Sequence, residues 1–500
     1  MICSVGLEGM RGYVVNIEAD VRLDKEQCVI VGLPDASIKE SKERILSNLH
    51  GQNFDLTLKK ITIHLSPSDK RKIGVGYDCA MLLAVLNKML ETPLPIDDKT
   101  CVLGSLSLNG DIFAFHGLIP SLQQALQLGF KRILIPPIDT SFLQTPDDIE
   151  IVPLQNITQM IDYLNGQLSL AMTRLTIIKE TAQDSILEAT TDFESIIGHE
   201  QAKRALEIAA AGGHHVLLSG PPGCGKSMLA DAFHTIFPNI THEQMLEVYS
   251  IYHLAKEPAS FSQRPTYRAP HHSSSATSLI GGGTYPKPGE ISLAHHGVLF
   301  LDELGEFPRK ALDMLRQPLE KGEVTISRVR QTVTYPAAFT LIAATNPCPC
   351  GYFGSNERYC TCSPQQIKNY QQKASGPLLD RIDFYLQLKS EGVRQEQIAE
   401  NSAAIRLRTT RARQLQYERY GACFLNGNAP SQSILEGCAL SKSQRQYVSE
   451  VCYKHKWSNR TQLKLLRVAR TIADLQGEEQ LREVHLQEAI SWKLGGDFHG

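Results

Sequence analysis

The spacing of hydrophobic and polar positions changes character three times along the chain. Over residues 1–166, short runs such as "GYVVNIEADV", "CVIVGL" and "KKITIHLS" read as strands, while residues 78–90 and 120–128 carry helical spacing, which predicts an α+β domain. In "LGSLSLNGDIFAF" apolar residues alternate around Asn109 and Gly110, the pair favoured where a tight hairpin needs two positive φ angles. Residues 167–191 lack clear alternation and read as a linker with some helix. From 192 to 389, buried-type strands alternate with helices, the pattern of a parallel sheet covered on both faces. Residues 390–500 hold only helical periodicities, as in "RQEQIAENSAAIRLRTTRARQLQYERYG" and "RTQLKLLRVARTIADL".

Composition narrows the class. A chain of 500 residues with 42% hydrophobic and 21% charged content can bury several cores. The first ten residues carry no positive charge, and the longest apolar stretch, residues 80–86, is far too short to span a bilayer. A soluble, cytoplasmic protein with no membrane partner is expected. Twelve cysteines without a secretion signal point to thiols or metal ligands in preference to a disulfide frame. The net charge of −2 gives no general footprint for nucleic acid, so any such contact must come from a local basic surface.

The strongest local chemistry lies in "HHVLLSGPPGCGKSMLADAF", an apolar strand, a glycine-rich turn and a helix opening near Lys226. Gly220, Gly225, Lys226 and Ser227 fill every fixed position of a G-x-x-x-x-G-K-S/T phosphate loop. The expected nucleotide contacts are Gly220, Pro221, Pro222, Gly223, Cys224, Gly225, Lys226, Ser227 and Met228. Backbone amides and the helix N-terminus would face the phosphates, Lys226 would supply a point charge, and Ser227 an Mg²⁺ ligand. In "GVLFLDELGEF" a buried-type strand ends on Asp302 and Glu303, placed to hold Mg²⁺ and to activate water respectively. "AAFTLIAATN" ends on Asn346, which by parallel position would orient water near the γ-phosphate. In "SGPLLDRIDF", Arg381 either pairs with Asp380 or Asp383 within one subunit or is offered to a neighbour's γ-phosphate.

The order of phosphate loop, "LFLDE", strand-ending Asn and "LLDRID" resembles AAA+ ATPases of the magnesium-chelatase-like branch, which includes the MCM helicases. The phrases "RAPHHSSSATSLIGGG", "PKPGEISLAHHGVLFLDELGEF" and "TNPCPCGYFG" resemble the YifB/ComM family specifically, over nearly the whole chain. The resemblance implies an α/β AAA+ P-loop ATPase core at 192–389 with a helical lid at 390–500. It further implies ATP and Mg²⁺ as cofactors, a homo-oligomeric, hexameric ring, and DNA as partner in branch migration during transformation or recombination. It also implies a second sensor arginine on a lid helix, which Arg460 fits best and Arg467 next. A chelatase-type ATPase that remodels a protein partner without DNA is the alternative.

Four further features extend this reading. Cys348, Cys350, Cys360 and Cys362 form C-x-C, nine residues, C-x-C, which can close a tetrahedral structural zinc shell; reversible disulfides and free buried thiols are the rival assignments. About 75 residues separate Ser227 from Asp302, and this insert holds Gly281–Gly283 and two histidine pairs, His271/His272 and His295/His296, whose spacing favours packing or hydrogen bonding over metal. "GEVTISRVRQTVTYPAAF" reads as a hairpin with Arg328 and Arg330 near its tip; in the related motors such a hairpin lines the channel, where these arginines would track DNA phosphates. Arg406, Arg408, Arg411 and Arg413 can add to DNA contact, although a solvated lid face is the simpler reading. The segment "LGSLSLNGDIFAFHGLIPSLQQALQLGFKRILIPP" resembles the Lon-protease catalytic fold, yet "GVGYDCA", around Tyr77 and Asp78, stands where the serine would be and Ile119 where the lysine would be. A Lon-protease-like but non-proteolytic domain is therefore expected at 1–166.

Overall fold

The computed structural model describes residues 1–140, 143, 146–168, 191–258, 261–283, 286–328, 331–355, 358–373, 376–389, 400–421 and 424–495. Arg330 and nearly all of the segment read as a linker lie outside them. The chain divides into two compact units, residues 1–184 with 249–261, and residues 185–248 with 262–500.

The first unit is built on a seven-stranded sheet in the order Gln27–Val31, Lys59–Ser66, Arg11–Leu23, Ile2–Glu8, Thr100–Val102, Arg132–Ile135, Glu150–Pro153. Ile2–Glu8 and Arg11–Leu23 pair antiparallel because only two residues join them. The last three strands run parallel to one another and to Ile2–Glu8, which requires crossovers: the helix Asp78–Met89 lies in the connection that enters Thr100–Val102, and Leu118–Gln127 in the one from Thr100–Val102 to Arg132–Ile135. The sheet is thus mixed, with helices interleaved along the chain. Residues 78–86 of the first crossover helix are all buried, so the apolar run 80–86 is a core helix surrounded by protein. Among the described residues no helix is long and apolar enough to cross a membrane.

The Asn109–Gly110 hairpin forms, with Ser105 opposite Phe113 and Leu106 opposite Ile112, but it differs from the tight turn expected. Only Gly110 of the pair has positive φ, +92°, and the Ser107 amide donates to Asp111 O at 2.9 Å, so the connection is a wider loop with one left-handed residue. Nearby, Asp78 is fully buried. It accepts from Ser41 Oγ at 2.5 Å, Arg44 Nε at 2.7 Å and the Leu106 amide at 3.3 Å. Ile119 is buried as well. The positions that match a serine–lysine dyad hold a sequestered carboxylate and an aliphatic side chain, neither of which can attack a peptide.

The second unit contains a five-stranded, all-parallel sheet in the order Tyr267–Arg268, Val298–Leu301, Thr340–Thr345, Val216–Ser219, Phe384–Gln387. Val216–Ser219 and Val298–Leu301 are buried at every residue, as expected of strands covered on both faces. The helices Ser402–Tyr420, Lys442–Lys454 and Asn459–Leu475 begin where Asn401, Ser441 and Ser458 accept hydrogen bonds from their first-turn amides. Leu465, Leu466, Val468, Ala469 and Ile472 join Val216, Leu218, Ile342 and Ala344 in one apolar core, so the C-terminal helices and the sheet exclude water together.

A buried polar network fixes that packing. Asp474 accepts from Arg419 Nη2 at 2.6 Å, Arg470 Nη2 at 3.0 Å and Asn426 Nδ2 at 2.8 Å. Asn426 also donates to Thr471, whose hydroxyl lies 2.8 Å from His214 Nε2, just before the Val216–Ser219 strand. Of the four arginines in the 406–413 segment, Arg406 and Arg411 are exposed, as a solvated face would be, and the half-exposed Arg408 pairs with Glu207 at 2.6 Å; only Arg413 turns inward, donating to Ala210 O at 2.6 Å over the Phe237 ring. Asp474→Ala would leave the fully buried Arg470 without its carboxylate and should cost about 3–5 kcal/mol. Trp457, just before the helix Asn459–Leu475, and Trp492, in the helix Glu483–Gly495, both pack against this core, so fluorescence-detected urea unfolding reads this loss directly.

Candidate nucleotide site

The carboxyl ends of three adjacent strands bring the expected residues together. Ser219 is paired with Thr345, and Leu301 with Ala343, so the loop after Ser219, the Asp302–Glu303 pair and Asn346 emerge side by side. Gly225 precedes the helix Lys226–Thr235 with φ +86°, a conformation that favours glycine. Gly220 is needed for another reason: a Cβ there would come within 2.7 Å of Leu388 O.

Lys226 Nζ donates to Gly220 O and Pro221 O at 2.8 Å each and to Asn346 Oδ1 at 3.2 Å. Burial lowers its pKa, while Cys224, Asp302 and Glu303 pull the other way. Ser227 Oγ and Asp302 Oδ2 lie 3.2 Å apart, close to the roughly 3 Å between neighbouring ligands of an octahedral Mg²⁺. Pro222, Gly223 and Met228 are exposed, whereas Pro221 and Cys224 are buried beneath the loop.

Glu303 adopts φ +50°, unusual for a residue with a side chain, and turns away from the strand that Asp302 continues. His272 Nδ1 lies 3.0 Å from Glu303 Oε2, leaving the other carboxylate oxygen to accept a proton from water. The sequence marked His272 only as one of a pair; its contact with Glu303, across 31 positions, has no local signature. The other pair is a hydrogen-bonded clamp. His295 and His296 lie 3.2 and 2.7 Å from Glu247 through Nε2, and His295 Nδ1 accepts from the Ala338 amide at 3.0 Å. With Nδ1 accepting, a neutral His295 carries its proton on Nε2 and has no lone pair left for a metal. These three side chains come within metal-ligand range of one another, but His295 is committed to the clamp.

The four cysteines do converge. Cys348, Cys350, Cys360 and Cys362 place their sulfurs within 4.8 Å of one another. The Cys348–Cys350, Cys348–Cys360 and Cys350–Cys360 separations are 3.3, 3.7 and 3.6 Å. Those are too long for a disulfide and near the roughly 3.8 Å edge of a tetrahedron with 2.3 Å zinc–sulfur bonds. The Phe353 amide donates to Cys348 Sγ, and the Tyr352 amide helps hold the Cys350 thiol down at about 6. The cluster can hold zinc. It also touches the phosphate loop, since a Cβ on Gly351 would meet Pro222 Cδ at 2.7 Å.

Arg381 stands elsewhere. It lines a cleft of about 710 Å³ with Arg460, Arg467, His215, Gly297 and Thr340, at the amino ends of the strands whose carboxyl ends carry Lys226, Asp302 and Asn346. Four residues of strand separate the two edges, about 13 Å. Its partners are Glu320 and Pro377 O, so the first of the two alternatives read from the sequence, pairing with Asp380 or Asp383, does not occur. Asp383 is engaged with His214 and Lys464, which outweigh burial and hold its carboxyl well below the usual range. Arg460 reaches the same Glu320 at 3.5 Å, while Arg467 donates to Ala429 O at 2.7 Å.

The hairpin Glu323–Arg328 with Gln331–Pro336 forms in register, Arg328 opposite Gln331. It packs on a second small hairpin of the insert, Gly281–Gly282 with Lys287–Pro288: Tyr335 Oη donates to Pro286 O at 2.7 Å, and a Cβ on Gly282 would lie 2.9 Å from Arg328 Nη2.

Comparison with known proteins matches three family models in succession: "Subunit ChlI of Mg-chelatase" over residues 17–139, "Magnesium chelatase, subunit ChlI" over 192–397, and "Magnesium chelatase, subunit ChlI C-terminal" over 399–493. The competence protein ComM of Haemophilus influenzae is 38% identical over 493 residues, 97% of this chain and 95% of that protein. The YifB protein of Escherichia coli is 36% identical over the same coverage. An archaeal Lon protease of Methanocaldococcus jannaschii is 30% identical over 149 residues, 30% of this chain and 22% of its own.

The Glu247 clamp predicts a pH dependence. Burial and the neighbouring His296 lower the His295 pKa to about 4, so the unfolded chain takes up its proton first as pH falls. Stability is complete above about pH 6.5 and should decline by up to about 3 kcal/mol as pH falls towards 4. His295→Gln keeps a donor and an acceptor but cannot titrate, and should flatten that part of the urea-midpoint profile.

Proposed function

The chain belongs to the YifB/ComM group of magnesium-chelatase-like AAA+ proteins, and from that premise we propose that it is an ATPase whose subunits form a ring and move on DNA. One observation carries this reading: the phosphate loop and Arg381 occupy opposite edges of one sheet, so Arg381 does not reach the γ-phosphate of its own subunit. A neighbour in a head-to-tail ring would supply it. The proposed ring is hexameric, as in the related motors.

In this mechanism Lys226 gives up the Gly220 and Pro221 carbonyls for the β and γ phosphates, and Asn346, already 3.2 Å from Lys226 Nζ, orients the attacking water. Ser227 and Asp302 would hold Mg²⁺, which would offset the negative charge of the phosphates. Glu303 accepts the water proton while His272 steadies its carboxylate. Arg381, with Arg460 beside it, stabilises the charge that develops on the γ-phosphate of the adjacent subunit. Cys348, Cys350, Cys360 and Cys362 would hold a structural zinc that stiffens the excursion between Asn346 and Arg381 and braces Pro222.

DNA is the proposed track because a full-length relative is named a competence protein and because Arg328 is exposed near the tip of its hairpin. The specific activity proposed is branch migration or translocation in transformation or recombination, with Arg328 and Arg330 following phosphates.

ATP turnover should rise with single-stranded, duplex or branched DNA at about 50 mM salt and lose most of that stimulation by about 200 mM. Stimulation by a polypeptide and none by DNA would replace this reading with protein remodelling. Glu303→Gln should retain ATP binding and lose turnover by about a hundredfold or more; wild-type turnover would remove Glu303 from the base position.

A further inference from the structure

Glu320 meets both arginines of the amino-edge cleft. Arg381 and Arg460 share its Oε1, the latter at 3.5 Å. The triad does little for stability, because Glu320 and Arg460 are about half exposed and solvated pairs of this kind contribute about 0–1 kcal/mol. Arg381 is different: its side chain is only 10% exposed, and its Nε is buried without a hydrogen-bond partner among the described residues. Two guanidinium groups converging on one oxygen would repel each other if the carboxylate were absent. With it, they stand together and the triad keeps a net positive charge towards the cleft.

The position of Glu320 along the chain matters as much as its charge. It sits in the helix Arg316–Lys321, three residues before Glu323, where the Arg328 hairpin begins. Gly322, with φ +67°, donates to Pro318 O at 2.8 Å, and the Ala337 amide closes the far end of the hairpin onto Gly322 O at 2.7 Å. The base of the hairpin and the carboxylate therefore share one short, hydrogen-bonded segment.

We infer that Glu320 is a positioning residue: it holds Arg381 and Arg460 as one phosphate-facing pair and ties that pair to the base of the Arg328 hairpin. The inference rests on the reading that this cleft faces the nucleotide of an adjacent subunit. Movement of the hairpin then shifts the arginine pair that completes the neighbouring site, without passing through that site's own phosphate loop.

The test uses full-length Glu320→Ala, Glu320→Asp and Arg381→Ala proteins. Glu320→Ala should lower kcat about ten- to a hundredfold while the ATP KM and the affinity for a fluorescent nucleotide stay within about twofold, because the residues that bind ATP within each subunit are intact. Glu320→Asp should recover much of the rate, and the thermal midpoints of both should match the wild type. Wild-type kcat in Glu320→Ala, a raised KM with unchanged kcat, or an Asp variant as slow as the Ala variant would overturn the inference while Arg381→Ala is inactive. Full turnover in Arg381→Ala would instead overturn the shared-site reading, and the inference with it.

Discussion

A parallel sheet has two unlike edges, and that polarity governs the second unit. Loops at the carboxyl edge carry the phosphate loop, Asp302, Glu303 and Asn346; those at the amino edge carry Arg381, with Arg460 of the helix Asn459–Leu475 alongside. A side chain cannot cross the intervening strands without passing through a core of Leu218, Phe300, Ile342 and Ala344. Division of the catalytic groups between subunits thus follows from strand direction in the proposed ring, and every contact that orients one edge against the other bears on it.

Several contacts do so. The Thr471–His214–Asp383 chain ties a C-terminal helix to the starts of two sheet strands, beside the cleft. The cysteine loop binds the opposite edge, leaving Asn346 and returning towards Arg381 while Gly351 rests on Pro222. Between them the insert carries His272 to Glu303 and packs against the Arg328 hairpin. In the proposed mechanism, short hydrogen-bonded segments at both edges of one sheet join the nucleotide site to the hairpin.

What could be read before folding was whatever is local. The strand, glycine turn and Lys226 helix are contiguous, so their chemistry is written in consecutive residues, as is that of the Val298–Leu301 strand ending on Asp302. The four cysteines lie within fifteen positions, and their convergence follows from a short loop. Features that depend on partners far along the chain were not legible. Arg413 looks like part of a solvated basic face until Ala210, about 200 positions away, turns it inward, and the tie from Arg408 to Glu207 is equally remote. Arg381 has two acids within two positions, yet pairs with Glu320, 61 positions earlier, because Asp383 is taken by His214 and Lys464. The Asn109–Gly110 turn was placed correctly and its width was not, since the Ser107–Asp111 bond adds residues to the loop that dipeptide preference does not count.

Mixing two crippled proteins tests the division of the site most directly. Lys226→Ala lacks the phosphate loop's charge and Arg381→Ala lacks the cleft's, so each alone should be nearly inactive. Combined in equal amounts and allowed to exchange subunits, they should regain roughly a quarter of wild-type turnover, the share of junctions that pair an intact loop with an intact arginine. No recovery in subunits shown to co-assemble, or full activity from Arg381→Ala alone, would contradict the account.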